Sequence, residues 1–398
     1  MKIVHVVTYI SEKNEFGGPV SVALTQLRAL QERGHTVRLI AGWDGVIDLS
    51  ETGIDQRLVP VRRITSRSRF GGLFAPRVFL ELVRALREGY VPHIHVARDL
   101  ITLPSARILA ALSKGYVLQP HGMIAEDRRP PARVFDTLMT RKSIRKAEFI
   151  LCLTDADKMG IIRTGAKERD ITQINNGVRI PGPTTGLDYA GERGHLNVLF
   201  LARISPRKNV ALFVRAAQSL VAEGVDATFS IVGPDGGGLD ELRGSLKAND
   251  GNGRIVYEGA LEGAKVLDRV RDADIYVLPS INEPFPMSVL EALSVGTPVV
   301  VTTGCQISDQ LSASNAAVVC EPTVDSLVDA IKHLAASPDE RVALGNSGRA
   351  YCTRAFNIDD VAGELAGIYQ LIERGSGTKR GSFRRRQTAS LNDQARSG

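Results

Sequence analysis

The 398-residue sequence is short of the features that mark several protein classes. It has one tryptophan and only 5% aromatic residues, and its four cysteines (Cys152, Cys305, Cys320, Cys352) form no Cys-x-x-Cys pair. A disulfide framework or a zinc knuckle is therefore not expected, and the thiols read as reduced and buried, as in a cytosolic protein. No apolar run reaches the roughly 18 residues that a membrane span needs. The opening MKIVHVVTYI is too short in apolar residues for a signal peptide. There is no GxGxxG and no GxxxxGK[ST], which counts against dinucleotide-dependent dehydrogenases and P-loop NTPases. One-sided charge is also scarce outside the C-terminus. Of the net charge of +6, five units lie from Gly375 onward, where six Lys/Arg face only Asp393. With a near-neutral body and few aromatics, nucleic acid is not an expected partner.

What remains is an ordinary globular composition, 43% hydrophobic and 24% charged, at a length that suits two cores better than one. Short β-branched runs alternate with helical patterns from end to end, the signature of parallel sheets covered by helices. Six such runs occupy the first half: 2–8, 36–41, 93–97, 116–119, 149–153 and 171–175. Six more occupy the second: 196–202, 227–232, 254–257, 275–278, 298–302 and 317–320. Between them 180–194 is rich in Pro and Gly and lacks periodicity, as a linker would. The expected fold class is α/β, with two Rossmann-like doubly wound domains facing each other across a cleft, covering residues 1–185 and 186–357. A last helical pattern at 358–373 closes the second domain or crosses back to the first, and 375–398 is a basic tail of disordered composition. The tail and the basic stretch 128–146 suit solvent or an anionic membrane surface.

Ligands of doubly wound domains bind outside the carboxyl ends of the strands, so strand-to-helix loops are where chemistry is sought. In LPSINEPFPMSVLEALSVGTPVVVT a buried strand ends at Ser280, a Pro-rich loop carries Glu283, and a helix carries Glu291 eight residues on. The helix face toward the sheet is Val289, Leu290 and Leu293, so Glu291 projects nearly opposite it. Such a corner turns free backbone N–H groups and a positive dipole end toward its opening, which suits a diphosphate. In LFLARISPRKN, Arg203 and Lys208 follow an apolar strand, where Arg grips phosphate as a fork and Lys as a point charge, with Arg207 a third candidate. Gly17 and Gly18 precede Pro19 at the start of a helix running to Glu32, and glycines let backbone amides approach a phosphate. His121, in Gln119-Pro120-His121-Gly122-Met123, follows a strand and could bond a sugar or polarise a hydroxyl. His5, His35, His93, His95 and His195 lie in or beside strands and read as structural. Asp155/Asp157 and Asp272/Asp274 read as a helix cap and a strand lead-in, so no metal ligand set is assigned. Taken singly, each of these motifs is also what a solvated surface would show.

Taken together they resemble the retaining glycosyltransferase family 4, of GT-B fold, over nearly the whole chain. The resemblance rests on Glu283 and Glu291 as the family's Glu-x7-Glu pair, the Arg203/Lys208 spacing, the early Gly17-Gly18, His121-Gly122 and Ile174-Asn-Asn-Gly-Val178, in family order. It implies that Glu283 contacts donor sugar hydroxyls and Glu291 the nucleotide ribose. Arg203 and Lys208 would hold the leaving diphosphate, assisted by backbone amides around Phe285, Met287 and Ser288 and by the Gly17-Gly18 loop. Pro286 has no N–H to give, and Pro-Phe-Pro replaces the Gly-Phe-Gly of many relatives, which stiffens the pocket. Gly233 and Glu258 would lie toward the nucleotide. It also implies a nucleotide diphosphate sugar as donor, a saccharide or lipid-linked acceptor, no cofactor and no metal, and a cytoplasmic enzyme of cell-surface polysaccharide or glycolipid synthesis, peripheral at the inner membrane face. Two other readings stay open: a sugar-nucleotide epimerase of the same fold, and a catalytically silent sugar-nucleotide-binding protein.

Overall fold

The structure is a computed structural model that describes residues 1–11, 17–45, 52–64, 72–124, 136–182, 195–261 and 263–375. The expected tail from 376 onward, the first part of the basic stretch (128–135) and most of the linker (183–194) lie outside the described residues. The chain forms two compact units, one of residues 1–177 with the chain from Ile358 onward, the other Val178–Asn357.

In the first unit the order is β1 (Lys2–Ile10), α1 (Gly17–Glu32), β2 (Thr36–Trp43), β3 (Asp55–Pro60), the two-residue strands β4 (Arg62–Arg63) and β5 (Leu73–Phe74), α2 (Arg77–Arg87), β6 (Val91–His95), α3 (Thr102–Ala111), β7 (Val117–Gln119), α4 (Arg141–Lys146), β8 (Phe149–Cys152), α5 (Asp155–Arg163) and β9 (Ile171–Gln173). Seven parallel strands pair in the order β3-β2-β1-β6-β7-β8-β9. β1 is buried almost throughout, as a strand covered on both faces must be. Its side chains alternate between two cores: Val4 and Val6 with Leu82, Leu103 and Leu109, and Ile3 and Val7 with Leu27 and Leu30 of α1. β3 was not among the expected strands. It is an edge strand whose DQRLVP buries little beyond Val59, so it carries no apolar run to announce it.

The second unit runs β10 (Leu196–Leu201), a 3-10 turn (Pro206–Lys208), α6 (Val210–Ala222), β11 (Ala227–Val232), α7 (Leu239–Ala248), β12 (Ile255–Gly259), α8 (Gly263–Arg271), β13 (Ile275–Leu278), α9 (Met287–Val295), β14 (Val299–Thr302), α10 (Ser308–Ala313), β15 (Val318–Cys320), α11 (Val324–Ala336) and α12 (Pro338–Phe356). Its six parallel strands pair in the order β12-β11-β10-β13-β14-β15. The expected strands of this half all appear, two with the expected ends and the others shifted by at most two residues.

The units change hands at Gly177/Val178, eight residues before the expected end at 185. The reason is local: Val178 N–H donates to the Phe356 carbonyl at 2.8 Å and bridges Asn357, which ties 178 to α12. The last helix, α13 (Ile358–Glu373), returns to the first unit, where Val361, Leu365, Ile368 and Tyr369 are buried in the α1 core. Among the described residues no helix is long and apolar enough to cross a membrane. The four cysteine thiols are unpaired, three of them buried.

Candidate functional site

β10 and β13 are neighbours in the sheet, but β11 follows on one side and β14 on the other. The carboxyl ends of β10 and β13 therefore flank a topological switch point, where the loops part and leave a crevice. Arg203 and Lys208 leave the first of these ends and Glu283 the second. Lys208 is followed by Asn209 at φ 53°, and Glu283 is preceded by Asn282 at φ 52°, left-handed positions that Asn tolerates better than most residues. The Glu283 backbone is pinned on both sides: its N–H donates to the Gly304 carbonyl and its carbonyl accepts from Gln306 N–H, each at 2.9 Å. A Cβ at Gly304 would overlap the Ser280 carbonyl oxygen, so this approach requires glycine.

So held, Glu283 is only 7% exposed, and Lys208 Nζ stands 2.8 Å from its Oε2. The ion pair is close, yet its angles are not those of a hydrogen bond, and Oε2 has no hydrogen-bond donor among the described residues. A buried carboxylate oxygen without a donor is costly unless a ligand supplies one. Arg203 lies half-buried, its stem running over Gly236, where a Cβ would come within 2.6 Å of its Cγ and Cδ. Gly233, at φ 147°, lets the ends of β10 and β11 meet, since a Cβ there would overlap the Ala202 carbonyl oxygen. Arg207 is exposed, and its carbonyl accepts from Ile281 N–H at 2.7 Å.

α9 starts at Met287 with Pro286 as its cap residue and no side-chain cap. The N–H groups of Phe285, Met287 and Ser288 have no partner among the described residues, so the helix presents bare donors and its positive end. The side chains nearby are occupied. Phe285 packs edge-on against Phe356, ring centroids 5.7 Å apart. Tyr276 OH lies 2.9 Å from the Leu201 carbonyl and 2.7 Å from Ser288 Oγ. A carbonyl can only accept, so Tyr276 donates to Leu201 and Ser288 donates to Tyr276. Glu291, one turn along α9, is half-buried, and burial pushes its carboxyl up to about 7. Its carboxylate has no hydrogen-bond partner among the described residues. Val289, Leu290 and Leu293 face the core, on the opposite side of the helix as the periodicity predicts.

Glu258, at the end of β12, is paired with Arg269. Both its oxygens accept from Arg269, at 2.9 Å from Nε and 2.7 Å from Nη2, which holds its carboxyl below the usual range. The two Asp-x-Asp strings are tied to backbone: Asp157 accepts from Leu153 N–H at 3.1 Å, and Asp274 from Asn197 N–H at 2.7 Å.

In the first unit Gly17 and Gly18 form the first turn of α1, which starts three residues earlier than Val20. A Cβ at Gly18 would meet nothing within 4 Å, so packing does not explain the glycine. His121 sits beyond β7 at φ 54°, followed by Gly122 at φ 73°. A histidine held in the left-handed region is a local strain that its surroundings must impose. Its ring is held by His95 of β6, and His95 in turn by His5 of β1. His121 Nε2 lies 2.8 Å from His95 Nδ1, with the two ring planes within 9° of each other. His95 Nε2 lies 3.0 Å from His5 Nδ1, and His5 Nε2 lies 3.0 Å from Tyr369 OH, which is 2.7 Å from His93 Nδ1. Burial pushes all four imidazoles down, His121 to about 3. The only sequence sign of this array is His93-x-His95 beside His5 on an adjacent strand, and Tyr369 is more than 240 residues from His121.

Comparison with known proteins fits this geometry. The Glycosyltransferase Family 4 model matches residues 16–180, and the model described as Glycosyl transferases group 1 matches residues 192–351. D-inositol 3-phosphate glycosyltransferase of Saccharomonospora viridis is 26% identical over 301 residues, covering 70% of this chain and 64% of that protein, so the chain spans less than two thirds of the relative's length. HepE of Anabaena, solved in complex with UDP, is 16% identical with a TM-score of 0.71, over 93% of this chain and 100% of that one. Sucrose-phosphate synthase of Thermosynechococcus elongatus is 16% identical with a TM-score of 0.73, over 94% and 100%.

Proposed function

Because the chain belongs to glycosyltransferase family 4 and has the GT-B fold, we propose that it moves a sugar from a nucleotide diphosphate donor to a saccharide or lipid-linked acceptor, with retention of configuration. The observation that carries this reading is the Lys208–Glu283 pair at the switch point, next to the uncapped start of α9.

Lys208, Arg203 and the amides of Phe285, Met287 and Ser288 bind the diphosphate and stabilise the charge that grows on it as the glycosidic bond breaks. Glu283 takes donor sugar hydroxyls as the missing partners of its buried oxygen. Glu291 holds the ribose diol, and its shift through burial makes that contact depend on pH. Two fixed cations and a helix end supply the electrostatic work that a divalent ion does elsewhere, so transfer is metal-independent and persists in EDTA. The acceptor hydroxyl attacks on the face that the diphosphate leaves, and the diphosphate takes up its proton. In the first unit, His121 is the candidate hydrogen-bonding group for a sugar hydroxyl, and the Gly17-Gly18 start of α1 suits a phosphate. The basic stretch and tail bring the protein to an anionic membrane surface on the cytoplasmic side, where surface polysaccharide or glycolipid is made.

The test is a screen of nucleotide sugars, UDP-glucose first, for nucleotide diphosphate release with membrane extract as acceptor. Release that depends on acceptor supports the reading. An epimerised donor without free diphosphate points instead to the epimerase, and binding without either product to a silent binder.

A further inference from the structure

The histidines of the first unit form a chain with a definite rule. A neutral imidazole has one N–H and one lone pair, and the Tyr369 hydroxyl gives one proton and accepts another. In the order His121, His95, His5, Tyr369, His93, every link runs between ring nitrogens or to the hydroxyl, at 2.7 to 3.0 Å. Only two arrangements satisfy all four links. If Tyr369 donates to His5, then His5, His95, His121 and His93 all carry their protons on Nδ1. If Tyr369 donates to His93, all four carry them on Nε2. Any mixture sets two N–H groups or two lone pairs against each other in a buried site, which forfeits a hydrogen bond. The burial that pushes the rings down keeps them neutral, so the rule holds at ordinary pH.

The two states differ where His121 leaves the chain. Its Nδ1 has no partner among the described residues. In one state that atom is an N–H donor, in the other a lone pair that accepts.

We propose that this chain acts as a tautomer lock, in which Tyr369 of α13 and the buried His5, His93 and His95 decide whether His121 offers a donor or an acceptor to a sugar hydroxyl. Tyr369, His5, His93 and His95 are positioning residues and do not touch substrate. The inference rests on the reading of His121 as the sugar-facing group, and its first test does not. His5, His93 and His95 also place ring nitrogens within 4.8 Å of one another, a spacing that a metal could bridge. Both ring nitrogens of His5 and of His95 are already engaged in the chain, so an ion there would have to break its links.

The experiment is long-range proton–nitrogen NMR of the full chain labelled with 15N-histidine, assigned by single replacements. The lock requires the same nitrogen to be protonated in His5, His93, His95 and His121. Two of these rings in opposite tautomers overturn it, and so does Zn2+ uptake that shifts His5, His93 and His95 together. Tyr369→Phe keeps the buried ring and breaks two links. In that variant His93 uncouples from the others and the tautomer ratio at His121 moves about tenfold, the equivalent of one net hydrogen bond. An unchanged His121 ratio overturns the proposal, and the wild-type spectrum decides alone if the variant does not fold. Turnover in Tyr369→Phe falls about tenfold with donor KM unchanged, the change matching the ratio shift. Unchanged turnover beside a shifted ratio supports the lock and sinks the assignment of His121 to the reaction.

Discussion

Lys208 Nζ stands 2.8 Å from Glu283 Oε2, although 75 residues separate the two in sequence. The contact exists because β10 and β13 are adjacent in the sheet while their following strands diverge, so the two loops meet over one gap. The carboxylate orients the ammonium, and the ammonium makes a buried carboxylate tolerable.

Replacing the two partners affects function alike and folding differently. Lys208→Ala and Glu283→Ala are each expected to lower turnover by at least about 100-fold, the scale of one preorganised transition-state contact. Lys208→Ala strands a buried carboxylate and lowers the melting temperature as well, whereas Glu283→Gln retains the shape and most of the stability. Near-normal turnover in either alanine variant removes the proposed site.

Glu291 predicts a pH effect of definite sign. Its carboxyl is raised to about 7 in the folded chain, so between roughly pH 4.5 and 7 the folded state holds the proton more tightly than the unfolded state. This group's contribution to stability is present at low pH and is lost as pH rises through 7. Glu291→Gln should flatten that part of the stability profile and raise donor KM about tenfold with a smaller change in kcat. An unaltered profile with unaltered KM contradicts the burial of the carboxyl and its role together.

The four imidazoles of the histidine chain act in the other direction. Their pKa values are lowered, so below about pH 6.5 the unfolded chain binds more protons and stability falls with acid. Between pH 7.5 and 5, His93→Leu should lose less stability than the parent, because a ring that burial keeps neutral in the folded chain has been removed. Urea unfolding at the two pH values measures this. Equal losses in both proteins mean that His93 is charged in the folded state.

Two glycines should part company. Gly233→Ala forces a side chain into the Ala202 carbonyl at φ 147°, and roughly 1 to 3 kcal/mol is lost to conformation alone before the clash is counted. Gly18→Ala meets open space in the first turn of a helix and should leave stability unchanged or slightly higher. If Gly18 serves a phosphate, the same substitution weakens donor binding, and a titration with nucleotide diphosphate reads it.

Much of this was legible along the chain. Runs such as VLFLA and VVVT are buried on both faces, and a run of that kind reads as a central parallel strand in any context. Glu283, Arg203 and Lys208 could be singled out because strand ends and Pro- or Gly-rich loops announce themselves locally. β3 was missed because an edge strand can be polar on most of its length. The pairing of Glu258 with Arg269 was not legible, because a glutamate at a strand end gives no sign that an arginine eleven residues later will bond both its oxygens.

By itself, then, the order of residues determined the alternation of strands and helices, the division into two halves and the loops that bear charge, since these depend on neighbours a few residues apart. Tertiary structure alone decided which loops meet. It put Lys208 against Glu283, buried Glu291 enough to move its proton, and set Tyr369 among four histidines. Those are relations between strands paired in space, and the energies that create them, desolvation and long-range pairing, have no period that a sequence can display.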